Sequence, residues 1–225
     1  MRREFIQRFR GDRVASIEAG ARYRGDTFEL EASGSWTDWR NIQADVIDGF
    51  GFPTTTNIGD GRILSLGVAS RWRPAPGLQF DAAFYVNDSK VTTRSQIVLS
   101  FVPESRPSPA SRLPNIADTT ARIGFEYGRP LGADTDFRVS GFGRYVGKSI
   151  LGVGPILGKL QGDYLDSGLE ASVGRDGKRI SVSVTNLLDA RGNRFALGSP
   201  FLVRDRDHIT PLKPRTLRIG FEFAF

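Results

Sequence analysis

The end of the chain constrains it most. From Thr216 to Phe225 every second residue is apolar: Leu217, Ile219, Phe221, Phe223 and Phe225 alternate with Thr216, Arg218, Gly220, Glu222 and Ala224. Successive side chains of a strand point to opposite faces, so this segment predicts a β-strand with one apolar face and one polar or small face. The same period recurs upstream. Leu64, Leu66, Val68 and Trp72 share a face, as do Leu78, Phe80, Ala82, Phe84 and Val86. Ala121, Ile123, Phe125 and Tyr127 alternate with Arg122, Gly124 and Glu126. Phe137, Val139, Gly141, Gly143 and Tyr145 alternate with Arg138, Ser140 and Arg144. Leu165, Leu169, Ala171 and Val173 form a further set, and Ile180, Val182 and Val184 alternate with Ser181, Ser183 and Thr185. Segments 13–24 and 27–47 alternate less strictly. The pattern predicts about nine strands.

The connections are sorted by length. Short ones fall at Gly25-Asp26, Pro74 to Gly77, Arg129 to Asp134 and Arg175 to Lys178, where Gly, Pro and Asp supply hairpin geometry. Long ones cover roughly 48–61, 88–116, 148–162 and 189–213. Short turns on one side and long loops on the other are the layout of outer-membrane barrels. The expected fold class is therefore all-β, an antiparallel up-and-down transmembrane β-barrel, here about nine strands of an incomplete barrel. Aromatic residues near the strand ends fit interfacial girdles: Tyr23, Phe28, Trp72, Tyr127, Phe137 and Phe225 beside the short turns, Trp36 and Trp39 beside the long loops.

Composition narrows the remaining classes. No stretch approaches the roughly 18 consecutive apolar residues of a transmembrane helix, whereas a barrel strand needs only about 9–11 alternating ones. The 26 glycines argue against a helical protein. With no Cys there is neither a disulfide framework nor a Cys-based zinc site. The net charge is +6, but the arginines are spread along the chain. That distribution reads as solvated charge, and no nucleic-acid partner is expected. The N-terminal residues, Met1-Arg-Arg-Glu-Phe-Ile-Gln-Arg-Phe-Arg10, lack the apolar core of a secretory signal. The expectation is that the chain is not a complete precursor.

Catalytic chemistry finds little support. His208 is the single histidine and lies near Asp205 and Asp207. It reads as a solvated loop residue, not a metal ligand. One His and no Cys leave no usual nucleophile–base pair. Gly152-Val-Gly-Pro-Ile-Leu-Gly158 lacks the spacing of a phosphate-cradling loop. No catalytic, cofactor-binding or metal-ligating residue is expected, and the chain is not expected to be an enzyme.

Several segments resemble those of TonB-dependent receptors. Val184-Thr-Asn-Leu-Leu-Asp189 resembles the family's NLFD segment, where the penultimate strand meets the last extracellular loop. Asn186, Leu187, Leu188 and Asp189 are the matching positions. Pro214 to Phe225 resembles the family's final strand. Phe221, Phe223 and Phe225 then correspond to the signal read by the outer-membrane barrel-assembly machinery. Trp36-Thr-Asp-Trp-Arg-Asn-Ile-Gln43, Asn57-Ile-Gly-Asp-Gly61, Pro76-Gly-Leu78, Leu113-Pro-Asn115 and Tyr145-Val-Gly-Lys148 are similar to further barrel segments. The resemblance implies that residues 1–225 form the C-terminal part of a siderophore-receptor-type barrel in the bacterial outer membrane, surrounded by its lipid. The full-length family has a plug domain, contacts TonB, and closes about twenty-two strands. This chain shows no segment resembling a plug or a signal peptide, and an odd strand count reads as part of a wall.

In such a barrel the polar face is the lumen. Arg122, Arg138, Arg144 and Arg218 lie on that face and are the candidates to meet an anionic ligand or plug carboxylates. Arg94, Arg106, Arg112, Arg204 and Arg206 fall in loops that could contact a small-molecule ligand such as a siderophore. The implied function is a segment of a receptor for TonB-dependent uptake of a scarce ligand, such as an iron–siderophore complex, inactive alone. Two other readings stay open: a self-contained small barrel serving as a pore or barrel hydrolase, and a soluble β-sandwich binding module.

Overall fold

The computed structural model describes residues 10–47, 53–95, 112–152, 160–195 and 209–223. The strands are β1 (Arg13–Arg24), β2 (Phe28–Ile47), β3 (Pro53–Ala75), β4 (Leu78–Arg94), β5 (Thr119–Pro130), β6 (Thr135–Val146), β7 (Ser149–Ile150), β8 (Leu160–Gln161), β9 (Tyr164–Arg175), β10 (Lys178–Thr185), β11 (Asn193–Phe195), β12 (Thr210–Pro211) and β13 (Thr216–Phe223). Nine of them form one sheet in the order β1-β2-β3-β4-β5-β6-β9-β10-β13. Every neighbouring pair is antiparallel. The pairs β7–β8 and β11–β12 are small hairpins within two long connections. Among the described residues there is no helix.

Register turns nine separate alternations into one apolar face. Phe28, Trp72, Phe80, Phe125, Gly141, Leu169, Val184 and Leu217 are successive cross-strand partners from β2 to β13. Leu78, Tyr127, Val139, Ala171, Val182 and Ile219 form a parallel row. A slip of one residue at any pair would turn a strand's apolar set to the wrong face, so this match fixes the pairing. The first row starts beside a short turn at Phe28 and ends beside a long loop at Leu217. The strands are therefore staggered, as tilted barrel strands must be. Antiparallel pairing through the nine-stranded order leaves β1 and β13 pointing the same way. An antiparallel seam between those two edges cannot form.

Three wall glycines are crossed by an aromatic ring from the neighbouring strand. Gly67 partners Tyr85, Gly141 partners Phe125, and Gly168 partners Phe142. A Cβ at these glycines would lie 2.5, 2.6 and 2.6 Å from the partner ring. The ring covers the exposed backbone of the neighbouring strand, which stabilises edge and wall glycines alike.

Above the apolar band, β2 and β3 extend as a long ladder of 20 and 23 residues. The sequence predicts a loop over 48–61, yet β3 already begins at Pro53. Irregularities at Asn41 (φ 52°) and Gly59 (φ 132°) reset the alternation and hide the strand. The irregularity turns Ile42 inward beside Ile58 and Leu113, which are 2%, 1% and 0% exposed. Trp39 packs against this small core and is no girdle residue, correcting its expected placement. Trp36 does lie on the apolar face. The Arg62 guanidinium sits 4.6 Å above its ring, and its Nε1 donates to Asp38 Oδ2 at 3.3 Å. An amphipathic ring bridging apolar and charged neighbours suits a membrane interface.

Candidate functional site

The face opposite the apolar one carries the candidate arginines. Arg122, Arg138, Arg144 and Arg218 all lie on it, but they do not converge on one point. Arg122 and Arg144 are direct cross-strand partners on β5 and β6. Like charges placed so repel unless neutralised. Asp81 stands 3.6 Å from Arg122 Nε, on the neighbouring strand β4. Arg138 Nε donates to Asp136 Oδ2 at 2.9 Å. Among the described residues Arg144 and Arg218 make no ion pair.

Sequence reasoning missed the best-formed ionic site on this face. Arg179 Nη2 donates to both oxygens of Asp136 at 2.8 Å, and its Nη1 donates to Ser172 Oγ at 3.0 Å. Arg179 precedes Ile180 in the alternation, so its face was readable; its partner two strands away was not. Arg73, Arg138, Arg179, Glu126, Glu170 and Glu222 line a cavity of about 950 Å³ near the short turns. This wall presents both signs of charge together with the hydroxyls of Ser140 and Ser172. It can therefore hold polar or charged groups through hydrogen bonds. Among the described residues no cluster of three or more Asp, Glu, His or Cys could hold a metal ion.

The loop positions divide in the same way. Arg94 ends β4 opposite Gly59, and Arg112 Nη1 lies 3.6 Å from Asp118 Oδ2. Arg106, Arg204, Arg206, His208 and Phe225 lie outside the described residues. Phe221 and Phe223 lie on the apolar face of β13, each at least 60% exposed.

The segment from Asn186 to Asp189 is a structural clasp. Asn186 is 4% exposed and adopts φ 50°, a conformation Asn tolerates better than most residues. Its Nδ2 donates to Ala190 O at 3.0 Å and Lys213 O at 2.9 Å, and its Oδ1 accepts from Ala190 N at 2.8 Å. One side chain thus ties together both ends of the loop between β10 and β13. Asp189 N donates to Asn186 O, and Leu187 N donates to Ser167 O. Leu187 and Leu188 line a groove on the apolar face with Ile123 and Leu165. Asn186→Ala should destabilise the fold by about 1–3 kcal/mol, because the buried side chain's three bonds to the Ala190 and Lys213 backbone are lost. A urea midpoint and amide exchange at Ala190 would measure this; unchanged exchange there would refute the clasp.

The other segments that resemble the family are anchors too. Asn57 Nδ2 donates to Asn41 O at 2.7 Å and to Arg10 O at 2.9 Å, and Gln43 Nε2 donates to Arg10 O at 3.0 Å. Trp39 Nε1 donates to Asp12 Oδ2 at 3.1 Å. These side chains grip the backbone that leads into β1. Asn115 N donates to Ile150 O, and Gly147 N donates to Thr119 O, so the long-loop ends of β5 and β6 are pinned to each other.

A family model for the TonB-dependent receptor-like β-barrel matches residues 12–187. The chain belongs to the TonB-dependent receptor β-barrel family. Barrels of this family are outer-membrane proteins. Solved receptors share the fold at low identity. The ferric yersiniabactin uptake receptor FyuA of Yersinia pestis superposes with a TM-score of 0.72 at 20% identity, covering 96% of this chain and 30% of the receptor. The ferric-catecholate import receptor Fiu of E. coli K12 gives 0.68 at 18%, covering 96% and 28%. The copper transporter OprC gives 0.66 at 18%, covering 95% and 32%. This receptor barrel segment thus spans about a third or less of those receptors' length. No curated protein sequence matches it.

Proposed function

We propose that this chain forms part of the wall of an outer-membrane TonB-dependent receptor and contributes to uptake of a scarce metal complex, such as an iron–siderophore. The carrying observation is the register-continuous apolar face, left exposed across the sheet. Ile123 is 66% and Ile219 63% exposed. A soluble sandwich would bury such a face against a second sheet. A hydrocarbon surround removes the cost of leaving it uncovered. The polar face, with Arg122, Arg138, Arg144, Arg179 and Arg218, lines the lumen in this reading and meets ligand or a plug domain. Energy comes from TonB acting on such a plug, so this wall segment does not transport alone. Ferric and copper cargoes of the structural neighbours support the ligand class.

The same-direction edges β1 and β13 argue against a self-contained small barrel, which would need a parallel seam. Cysteine labelling tests the reading cleanly, because the chain has no native Cys. Single cysteines at Ile219, Val182 and Ile123 should react with a lipid-soluble maleimide and resist a membrane-impermeant one. Cysteines at Ser181, Ser183 and Gly220 should do the opposite. Equal reactivity of the two sets towards the impermeant reagent would end the membrane reading.

A further inference from the structure

The outer face changes character at Trp36. Ile17, Trp36 and Leu64 are cross-strand partners on β1, β2 and β3, all exposed at the upper edge of the apolar band. Towards the long loops the next row is Ala15, Asp38, Arg62 and Lys90, and the row beyond it sets Arg13 opposite Arg40. Alternation keeps these residues on the face that carries Trp36. Register thus creates two directly opposed like-charge pairs in successive rows, Arg13 with Arg40 and Arg62 with Lys90. Such pairs are destabilising unless an anion neutralises them.

The carboxylates nearby do not neutralise the three arginines. Asp88 binds Lys90 at 2.6 Å, and Asp38 Oδ2 accepts from Trp36 Nε1. Asp60 accepts from Asn41 N and Thr93 Oγ1, Asp12 from Trp39 Nε1, and Asp45, farther along β2, from Thr55 Oγ1. Among the described residues none of these carboxylates is ion-paired with Arg13, Arg40 or Arg62. Arg62 is held level with the interface by Trp36, whose ring centre lies 4.6 Å from the guanidinium carbon. Guanidinium groups without a carboxylate partner suit the bidentate grip of a phosphate.

We propose that Arg13, Arg40, Arg62 and Lys90 seat the phosphate head of a membrane lipid in the leaflet beside the long loops. The inference rests on the membrane reading above. The position selects a lipid over a dissolved anion. The row beneath the cations is apolar, so a head held there lays its acyl chains along Ile17 and Leu64. Each cation at a lipid surface adds attraction for an anionic head, and these positions spread that attraction from β1 to β4.

Native mass spectrometry of the full chain in non-ionic detergent tests it, with equal amounts of phosphatidic acid and phosphatidylcholine carrying the same acyl chains. Phosphatidic acid should be retained in preference to phosphatidylcholine. Arg13→Gln with Arg40→Gln should lower that preference about thirtyfold, the loss expected for two cations at a lipid surface. Arg62→Gln with Lys90→Gln should lower it as well, which keeps the test decisive if the first variant fails to fold. Arg122→Gln with Arg144→Gln removes an equally opposed pair from the other face and should leave the preference unchanged. Glycerol phosphate, which has the head chemistry without the chains, should not displace the lipid. An unchanged preference in either outer-face variant, an equal loss in the Arg122 and Arg144 variant, or displacement by glycerol phosphate would overturn the proposal. Lipid-soluble labelling at Ile219 and Val182 would persist in each of those cases, so the failure would be distinct from failure of the membrane reading.

Discussion

Val182→Arg is expected to destabilise the inserted protein by about 2–4 kcal/mol, the cost of a cation on the lipid face near the bilayer midplane. Val182 lies mid-strand in β10, with Ala171 and Ile219 as its cross-strand partners. It is 43% exposed, so the arginine displaces no packed core. In water a substitution at so open a position would change stability by about 0.5 kcal/mol or less. The magnitude therefore reports the surrounding solvent and not the packing. Ser183→Arg, one residue along and on the opposite face, is the matched control and should stay within about 0.5 kcal/mol. Urea unfolding in lipid vesicles, followed through the three tryptophans, gives both values. A small and equal effect for the two substitutions would mean that no hydrocarbon surrounds the Val182 face.

The contrast between those neighbours also explains why so much of the fold was legible. Strand alternation is a local property, and a barrel wall asks each strand for the same local answer. The apolar sets at β4, β5, β6, β10 and β13 read directly as one face, and their register partners agree. Legibility failed where the backbone departs from two-residue periodicity. The positive φ angles at Asn41 and Gly59 shift the facing of Ile42 and Ile58, so the start of β3 looked like loop and Trp39 looked like an interface ring. The polar face was legible as a face but not as a set of pairs. Arg138 reads as a free cation in the sequence, yet it shares Asp136 with Arg179, which lies 43 positions from that carboxylate. Pairing across strands depends on register and rotamer, which no single segment encodes.

The segments that resemble the family have a physical task in the fold. Asn57-Ile-Gly-Asp-Gly61 is an anchor whose every member has a task. Asn57 holds the approach to β1, and Ile58 fills the small core. Asp60 accepts from Asn41 N at 2.8 Å and from Thr93 Oγ1 at 3.2 Å. Gly61 lets Ile42 and Leu113 close in, since a Cβ there would stand 2.8 Å from both. Such an anchor ties the approach to β1, the β2–β3 ladder and the segment around Leu113 into one arrangement, as the proposed uptake role would require of these loops.

Gly59 is the member with no substitute. Its φ is 132°, where side-chain-bearing residues are strained, and a Cβ would fall 1.7 Å from Thr93 O. That oxygen belongs to the facing backbone and cannot rotate away like a side chain. Gly59→Ala must therefore part β3 from β4 at this point, or reshape both strands. The expected cost is about 3–5 kcal/mol, combining backbone strain with a broken ladder. The loss should be local. Ser95 N, which donates to Ile58 O at 3.0 Å, and Asn41 N should exchange with solvent much faster. Trp39 emission should shift as its core loosens, while amides of β10 and β13 keep their protection. Gly132→Ala is the control, because nothing lies within 4 Å of its Cβ position. If Gly59→Ala left Asn41 and Ser95 as protected as before, the anchor would not be what holds the loop side together. If it unfolded β10 and β13 as well, the upper ladder and the membrane wall would be one cooperative unit and not two.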